Sequence, residues 1–200
     1  SLIVTGCLAQ RYSDEIFKEI PEVDAILGTN SYDNIVSAVK EVMAGKHYTN
    51  LNSLEGLPTL HTKRCVTTGG HYAHLKIAEG CSNRCTYCAI PYIRGAYISR
   101  PFEEIIEEAK SLAEKGYKEI IVIAQDTTKY GIDLYGKPRL AELLQEISKI
   151  DGIKWIRFLY AYPESITDEL IQTVKNNEKI CKYFDIPIQH ISDPVLKRMN

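Results

Sequence analysis

The chain has 200 residues, 44% of them hydrophobic and 25% charged, with a net charge of −2. That balance belongs to an ordinary globular protein and provides no strong field toward nucleic acid or a membrane surface, so neither DNA nor a membrane is expected as a partner. No run of about 18 apolar residues is present, which excludes a spanning helix, and the start "SLIVTGCLA" lacks the basic end and long apolar core of an export signal.

In chain order, residues 1–45 read as two strand–helix units. "LIVTG" and "VDAIL" are short apolar runs, and "SDEIFKEI" and "YDNIVSAVKEVM" carry apolar residues at helical spacing, with Ile35, Val36, Val39, Val42 and Met43 in the second. Gly45 is a helix stop. Together they predict the tail of an α/β domain with a parallel sheet. Residues 46–73 are polar, turn-rich and aperiodic, a linker with room for one short strand.

From residue 74 the alternation restarts. "HLKIAEG" reads as a strand that ends at a group of cysteines. "PFEEIIEEAKSLAEKG" reads as a helix with Phe102, Ile105, Ile106, Ala109 and Leu112 on one face, opened by Pro101 and stopped by Gly116. "EIIVIAQ" reads as a fully buried strand, "RLAELLQEISKI" as a helix turning Leu140, Leu143, Leu144 and Ile147 inward, "WIRFLYAYP" as a strand and "TDELIQTVKNN" as a helix. "YFDIPIQH" reads as a fourth strand, followed by a helix capped by Asp193. Four β/α units in series predict parallel strands with right-handed crossovers, half of an eight-unit barrel or most of an open one. The chain begins at Ser1 in an apolar run and ends at Asn200 within a helix signal, so it is expected to be a piece of a longer protein.

Six cysteines occupy positions 7, 65, 81, 85, 88 and 181. No paired framework is evident, which points to a reducing, cytoplasmic setting with thiolates available for metal. Cys81, Cys85 and Cys88 fall within eight positions in "EGCSNRCTYCAIPYIRG", residues 79–95, with no nearby fourth soft ligand. Three thiolates on a short loop can serve three corners of an iron–sulfur cube and leave the fourth iron open. Two plainer readings stand beside it: a zinc site completed by a distant His or by Cys181, and a chance group of buried cysteines.

The C-x3-C-x2-C spacing, with aromatic Tyr87 before the last cysteine and a β/α series around it, resembles the radical S-adenosylmethionine enzymes. The resemblance implies a 4Fe-4S cluster on Cys81, Cys85 and Cys88 whose open iron chelates S-adenosylmethionine, which is then reductively cleaved to a radical that abstracts hydrogen. "VTGCLAQRY", "PYIRGAYISRP" and the following helix are similar to the methylthiotransferases within that group. That likeness implies the C-terminal part of a flavodoxin-like methylthiotransferase N-terminal domain over 1–48, a linker over 49–73 and the first half of a TIM-type radical S-adenosylmethionine barrel over 74–200. It also implies a second, auxiliary 4Fe-4S cluster to which Cys7 contributes, its two companion cysteines being expected upstream of Ser1. "QDTTKYGIDLYG", "AYPES" and "DIPIQHISDPVLKRMN" resemble the RimO-type branch, which methylthiolates the β-carbon of an aspartate in ribosomal protein S-twelve using two S-adenosylmethionines. The tRNA adenosine branch and a metal-bearing ribosome- or RNA-binding module remain the alternatives. An electron donor such as flavodoxin or ferredoxin is implied.

The resemblance further places Gln125 and Asp126 on the cofactor's amino group, the alternative for Asp126 being a turn cap. Tyr87 is expected against the adenine. Their position on the rim at the strand ends makes Tyr162, Pro163, Gln189 and His190 pocket candidates, and Arg94 and Arg100, flanking the loop after the cysteines, are expected to clamp a carboxylate of the cofactor or of the substrate aspartate. A structural, hydrogen-bonded His190 and surface pairing of the arginines to Glu103 or Glu104 are the plainer alternatives. Cys65, Cys181, His61, His71 and His74 lie outside every motif.

Overall fold

Short apolar runs that alternate with amphipathic stretches build both parts of the chain, as the pattern predicts. The structure is a computed structural model that describes residues 1–57, 65–67 and 69–199. His61 and part of the expected linker lie outside the described residues. By contacts the described residues fall into two units, one from 1–64 and 80–96, the other from 65–79 and 97–200.

In the first unit, β1 (Ile3–Thr5), β2 (Ala25–Leu27) and β3 (Tyr48–Asn50) form a parallel sheet in that order, with Ile3 opposite Ala25 and Ala25 opposite Tyr48. Alternation along β2 divides two small cores. Ala25 and Leu27 pack with Ala38 and Val42 of α3 (Ile35–Met43), while Ile26 packs with Ala9 of α1 (Cys7–Arg11), and with Ile16 and Phe17 of α2 (Ser13–Glu19). α1 lay outside the sequence reading, being too short for a periodic signal. On α3 the buried pair is Ala38 and Val42, four apart, whereas Val36 and Met43 are exposed. Gly45 ends α3 as expected: at φ +75° it lets its own N–H reach Val42 O and the N–H of Lys46 reach Glu41 O. The short strand allowed for in the linker is β3, and it starts at Tyr48.

In the second unit, β4 (Tyr72–Lys76), β7 (Glu119–Ile123) and β8 (Trp155–Phe158) are parallel in the order β4-β7-β8. The register aligns Ala73 with Ile120 and Ile156, and Leu75 with Val122 and Phe158, and all six are fully buried. β5 (Ala78–Glu79) and β6 (Ile98–Ser99) form a two-stranded antiparallel ribbon that the sequence did not announce. Onto the parallel sheet pack α5 (Phe102–Glu114), through Ile105, Ala109 and Leu112, and α7 (Leu140–Ser148), through Leu143, Leu144 and Ile147. The core is completed from α8 (Asp168–Asn176), by Leu170 and Val174. Short α-helices among the described residues are α4 (Ile90–Arg94), in the cysteine segment of the first unit, and α6 (Ile132–Tyr135) and α9 (Asp193–Met199) in the second.

Two expectations are corrected. β7 is buried on one face only, since Ile121 and Ile123 remain half-exposed. The fourth strand over "YFDIPIQH" does not form; an isolated bridge pairs Ile156 with Ile180, just ahead of that segment, and within it Asp185 O accepts the N–H of Ala161 at 2.9 Å. Pro187 has no N–H to give a ladder, and Ile188 is left 74% exposed.

Arg100 is 4% exposed and donates to Glu108 at 2.7 Å and to Lys76 O at 2.6 Å. It is therefore a core residue of the second unit, paired neither with Glu103 or Glu104 nor held out to a ligand. Tyr130 is fully buried and donates to Arg100 O at 3.0 Å; burial foremost holds its phenol well above the ordinary tyrosine range.

Candidate metal centre and ligand-binding residues

β5 runs straight into the cysteine segment, whose base is drawn tight by two glycines of the first unit. Gly80 has φ +73°, and a Cβ there would lie 2.0 Å from Ala96 O. Gly95 has φ +77°, and a Cβ there would lie 2.5 Å from Leu54 O. No L side chain tolerates both the dihedral and the contact. Across this base the N–H of Cys81 donates to Gly95 O at 3.1 Å. Between the second and third cysteines the chain turns, with Cys88 N–H donating to Cys85 O at 3.1 Å. Pro91 then sits in the first turn of α4, where no N–H is needed.

The pinched loop presents Cys81, Cys85 and Cys88 to one concavity of about 500 Å³, which Arg84, Tyr92 and Ala96 help to line. All six cysteines are free thiols. Among the described residues, no three His, Cys, Asp or Glu side chains crowd closely enough to hold a single ion. A mononuclear zinc needs its sulfurs about 2.3 Å from one point, whereas a cube takes each thiolate at a different corner. Three soft donors lining one cavity are the donor set that an iron–sulfur cube takes, each thiolate at its own corner.

Cys7 opens α1 directly after Gly6 (φ +104°), whose N–H donates to Leu27 O at 3.2 Å. Arg94, the arginine that ends α4, brings Nη2 to 3.4 Å from Cys7 Sγ. The first unit thus brings Cys7, the three-cysteine loop and Arg94 together, while Tyr87 in the same loop is 54% exposed.

In the second unit, Asp126 is 2% exposed and its Oδ1 accepts the N–H of Thr128 at 3.1 Å, capping the short 3-10 turn Thr127–Lys129. Its carbonyl accepts the Tyr97 hydroxyl at 2.7 Å. The turn cap weighed for Asp126 is thus present in the fold. Gln125, one residue earlier, has a buried Oε1 with no hydrogen-bond partner among the described residues. An orphaned acceptor costs about 1–3 kcal/mol, so it is a place where a ligand's N–H would be welcome. Tyr162 follows β8, and its N–H donates to Thr128 Oγ1 at 3.3 Å. Gln189 is exposed in the left-handed region at φ +57°, inside a tight turn closed by His190 N–H to Ile188 O. His190 Nδ1 accepts the N–H of Ser192 at 2.9 Å, the structural role considered for it. Tyr160, which no sequence signal marked, also has positive φ (+62°) at the end of β8, held by its N–H to Asp185 Oδ2 at 3.0 Å.

A parallel β/α series whose first crossover carries a three-thiol cavity defines the class, and the chain belongs to the radical SAM superfamily, whose family model matches residues 75–200. Over its whole length it is 61% identical to the ribosomal protein uS12 methylthiotransferase RimO of Clostridioides difficile (strain 630), covering 45% of that protein. It is 58% identical to the protein of the same name from Lachnoclostridium phytofermentans, again over 45% of the relative and 99% of this chain. The chain thus spans about half the length of the curated relatives it matches. Among solved structures, the radical S-adenosylmethionine methyltransferase TsrM from Kitasatospora setae matches with TM-score 0.51 at 18% identity, over 64% of this chain and 24% of that one, a likeness of fold. Among the described residues no helix is long and apolar enough to cross a membrane.

Proposed function

We propose that this chain belongs to a methylthiotransferase that modifies the β-carbon of an aspartate in ribosomal protein S-twelve, in the cytoplasm, with an electron donor such as flavodoxin or ferredoxin. The observation that carries the reading is the cavity into which Cys81, Cys85 and Cys88 all open, in a chain 55–61% identical to uS12 methylthiotransferases. Cys81, Cys85 and Cys88 would hold one 4Fe-4S cluster, and Cys7 would contribute to the auxiliary one. When bound, the clusters and S-adenosylmethionine supply one-electron cleavage, a hydrogen-abstracting radical and the methyl and sulfur to be transferred.

The chain's own residues position and exclude. The Gly80–Gly95 pinch fixes the angle at which the thiolates enter the cavity. Gln125 Oε1 would accept a hydrogen bond from the amino group of S-adenosylmethionine, while Asp126 holds the turn that aims it. Tyr87, exposed in the loop, would cover the adenine, and Tyr162 and Gln189 would line the side where the substrate enters.

Iron and sulfide analysis of anaerobically purified protein tests the cluster, with Cys85→Ala expected to lose the visible iron–sulfur absorbance and 5′-deoxyadenosine formation while Cys65→Ala keeps both. Zinc without iron would defeat the enzyme reading. Mass analysis of S-twelve and tRNA from a deletion strain tests the substrate. An unchanged aspartate together with a hypomodified tRNA adenosine would move the assignment to the tRNA branch.

A further inference from the structure

Tyr160 lies two residues beyond β8 and holds a backbone angle that few aromatic residues adopt, φ +62°. The conformation is imposed from both sides. Its N–H donates to Asp185 Oδ2 at 3.0 Å, and its carbonyl accepts the N–H of Thr127 at 3.0 Å. The flanking residues are tied to the same two partners. Thr127 Oγ1 donates to Leu159 O at 3.0 Å, and the N–H of Ala161 donates to Asp185 O at 2.9 Å. Thr127 is fully buried, so this frame is anchored in the second unit.

A strained residue persists only where its surroundings over-determine it, and such residues gather at ligand sites. Three other tyrosines of the same unit use their hydroxyls internally. Tyr130 donates to Arg100 O and Tyr97 to Asp126 O, both rings being buried, and Tyr135 Oη accepts the N–H of Phe102. The Tyr160 side chain instead is 52% exposed, and its hydroxyl has no hydrogen-bond partner among the described residues. Its place in the fold fits a ligand. β7 and β8 are parallel neighbours, and Gln125, with its orphaned Oε1, lies two residues beyond β7 just as Tyr160 lies two beyond β8. The C-terminal ends of parallel strands are where β/α folds build their sites. This end of the sheet offers an acceptor after one strand and a donor after the next.

We propose that Tyr160 is a substrate-binding residue whose phenol donates a hydrogen bond to the carboxylate of the target aspartate. The inference rests on the substrate reading given above. A carboxylate is the strongest acceptor that such a substrate brings, and a hydrogen bond to a charged acceptor is stronger than one between neutral groups. With its backbone fixed, the residue keeps only two side-chain torsions to order on binding, so the donor is largely preorganised.

The test uses the anaerobically reconstituted holoenzyme, purified S-twelve, and S-twelve carrying alanine in place of the target aspartate. Fluorescence anisotropy reads the two dissociation constants, equilibrium dialysis reads that of S-adenosylmethionine, and urea unfolding reads stability. Tyr160→Phe is expected to bind unaltered S-twelve roughly tenfold more weakly. Its affinity for the alanine form and for S-adenosylmethionine, and its urea midpoint, are expected to match the parent. Tyr160→Gly relieves the backbone, so it is expected to keep or raise the urea midpoint while losing at least as much affinity for S-twelve. Parent-like affinity of Tyr160→Phe for S-twelve, in a holoenzyme that does modify the aspartate, would overturn the inference and leave the substrate reading standing. A parent that leaves the aspartate unmodified would overturn both. A loss confined to S-adenosylmethionine would overturn the inference by making Tyr160 a cofactor contact. An equal loss for both forms of S-twelve, or a lowered urea midpoint in both variants, would overturn it by making Tyr160 a packing residue.

Discussion

Gly80 and Gly45 form a matched pair that separates two costs of replacing a glycine. Their φ angles are +73° and +75°, and both belong to the first unit. An alanine at either position pays the left-handed penalty, roughly 1–2 kcal/mol. At Gly45 nothing lies within 4 Å of the new Cβ, so the cost ends there. At Gly80 the Cβ would stand 2.0 Å from Ala96 O and 2.7 Å from Gly95 O, both backbone atoms that cannot rotate aside. The loop base must open. Overpacking of that kind costs about 1–3 kcal/mol, and the Cys81 N–H to Gly95 O bond, worth about 1 kcal/mol, goes with it. Gly80→Ala is therefore expected to destabilise the first unit by roughly 2–4 kcal/mol more than Gly45→Ala. Urea unfolding followed by circular dichroism measures the difference, and hydrogen exchange over residues 81–95 localises it. Gly80→Ala should also lower iron loading, because the three thiols lose their common entry angle, whereas Gly45→Ala should not. Equal midpoints for the two variants, with unchanged exchange in the loop, would refute the pinch.

Tyr130→Phe is expected to cost about 1–2 kcal/mol at neutral pH by stranding Arg100 O. The phenol's folded pKa is raised above its unfolded value of 10.0, so its contribution is fully present below pH 10 and is lost as pH rises beyond it. The urea midpoint of the parent should fall on that alkaline limb, and the slope should flatten in Tyr130→Phe. Thr167→Ala removes the N-cap of α8, where Thr167 Oγ1 accepts the N–H of Leu170 at 3.2 Å. A loss of about 1 kcal/mol is expected, while Thr167→Ser keeps most of it.

Much of the second unit was legible because its signals are local. On α5, Phe102, Ile105, Ala109 and Leu112 recur at helical spacing and all are buried, and α7 behaves in the same way. The strands at 72–76, 119–123 and 155–158 were legible as apolar runs between turn residues. "YFDIPIQH" shows the limit: Phe184, Ile186 and Ile188 alternate as a strand should, yet alternation states only a preference. A strand also needs a neighbour for its N–H groups, and Pro187 withholds one of them. The ribbon of β5 and β6 was illegible for the opposite reason, since two-residue strands carry no period at all.

The candidate site divides along the same line. The three cysteines are a local fact, and their spacing alone marks soft-metal chemistry. What positions them is not local. The loop lies, by sequence, inside the second β/α series, yet its contacts group it with the first unit. The ties responsible are Gly95 against the Leu54 backbone, Thr29 against Ile93 and Arg94 against Cys7. Each joins residues more than a helix length apart in sequence, and none leaves a periodic trace. The sequence assigned Gly80 and Gly95 no role of their own, because the backbone atoms that forbid a side chain there come from elsewhere in the chain. Arg94 carries the sharpest case. Its residue type suggested a carboxylate partner, because bidentate pairing is what a guanidinium most often does. The fold brings one of its nitrogens to a sulfur 87 positions away in sequence, a neighbour that neither spacing nor composition encodes.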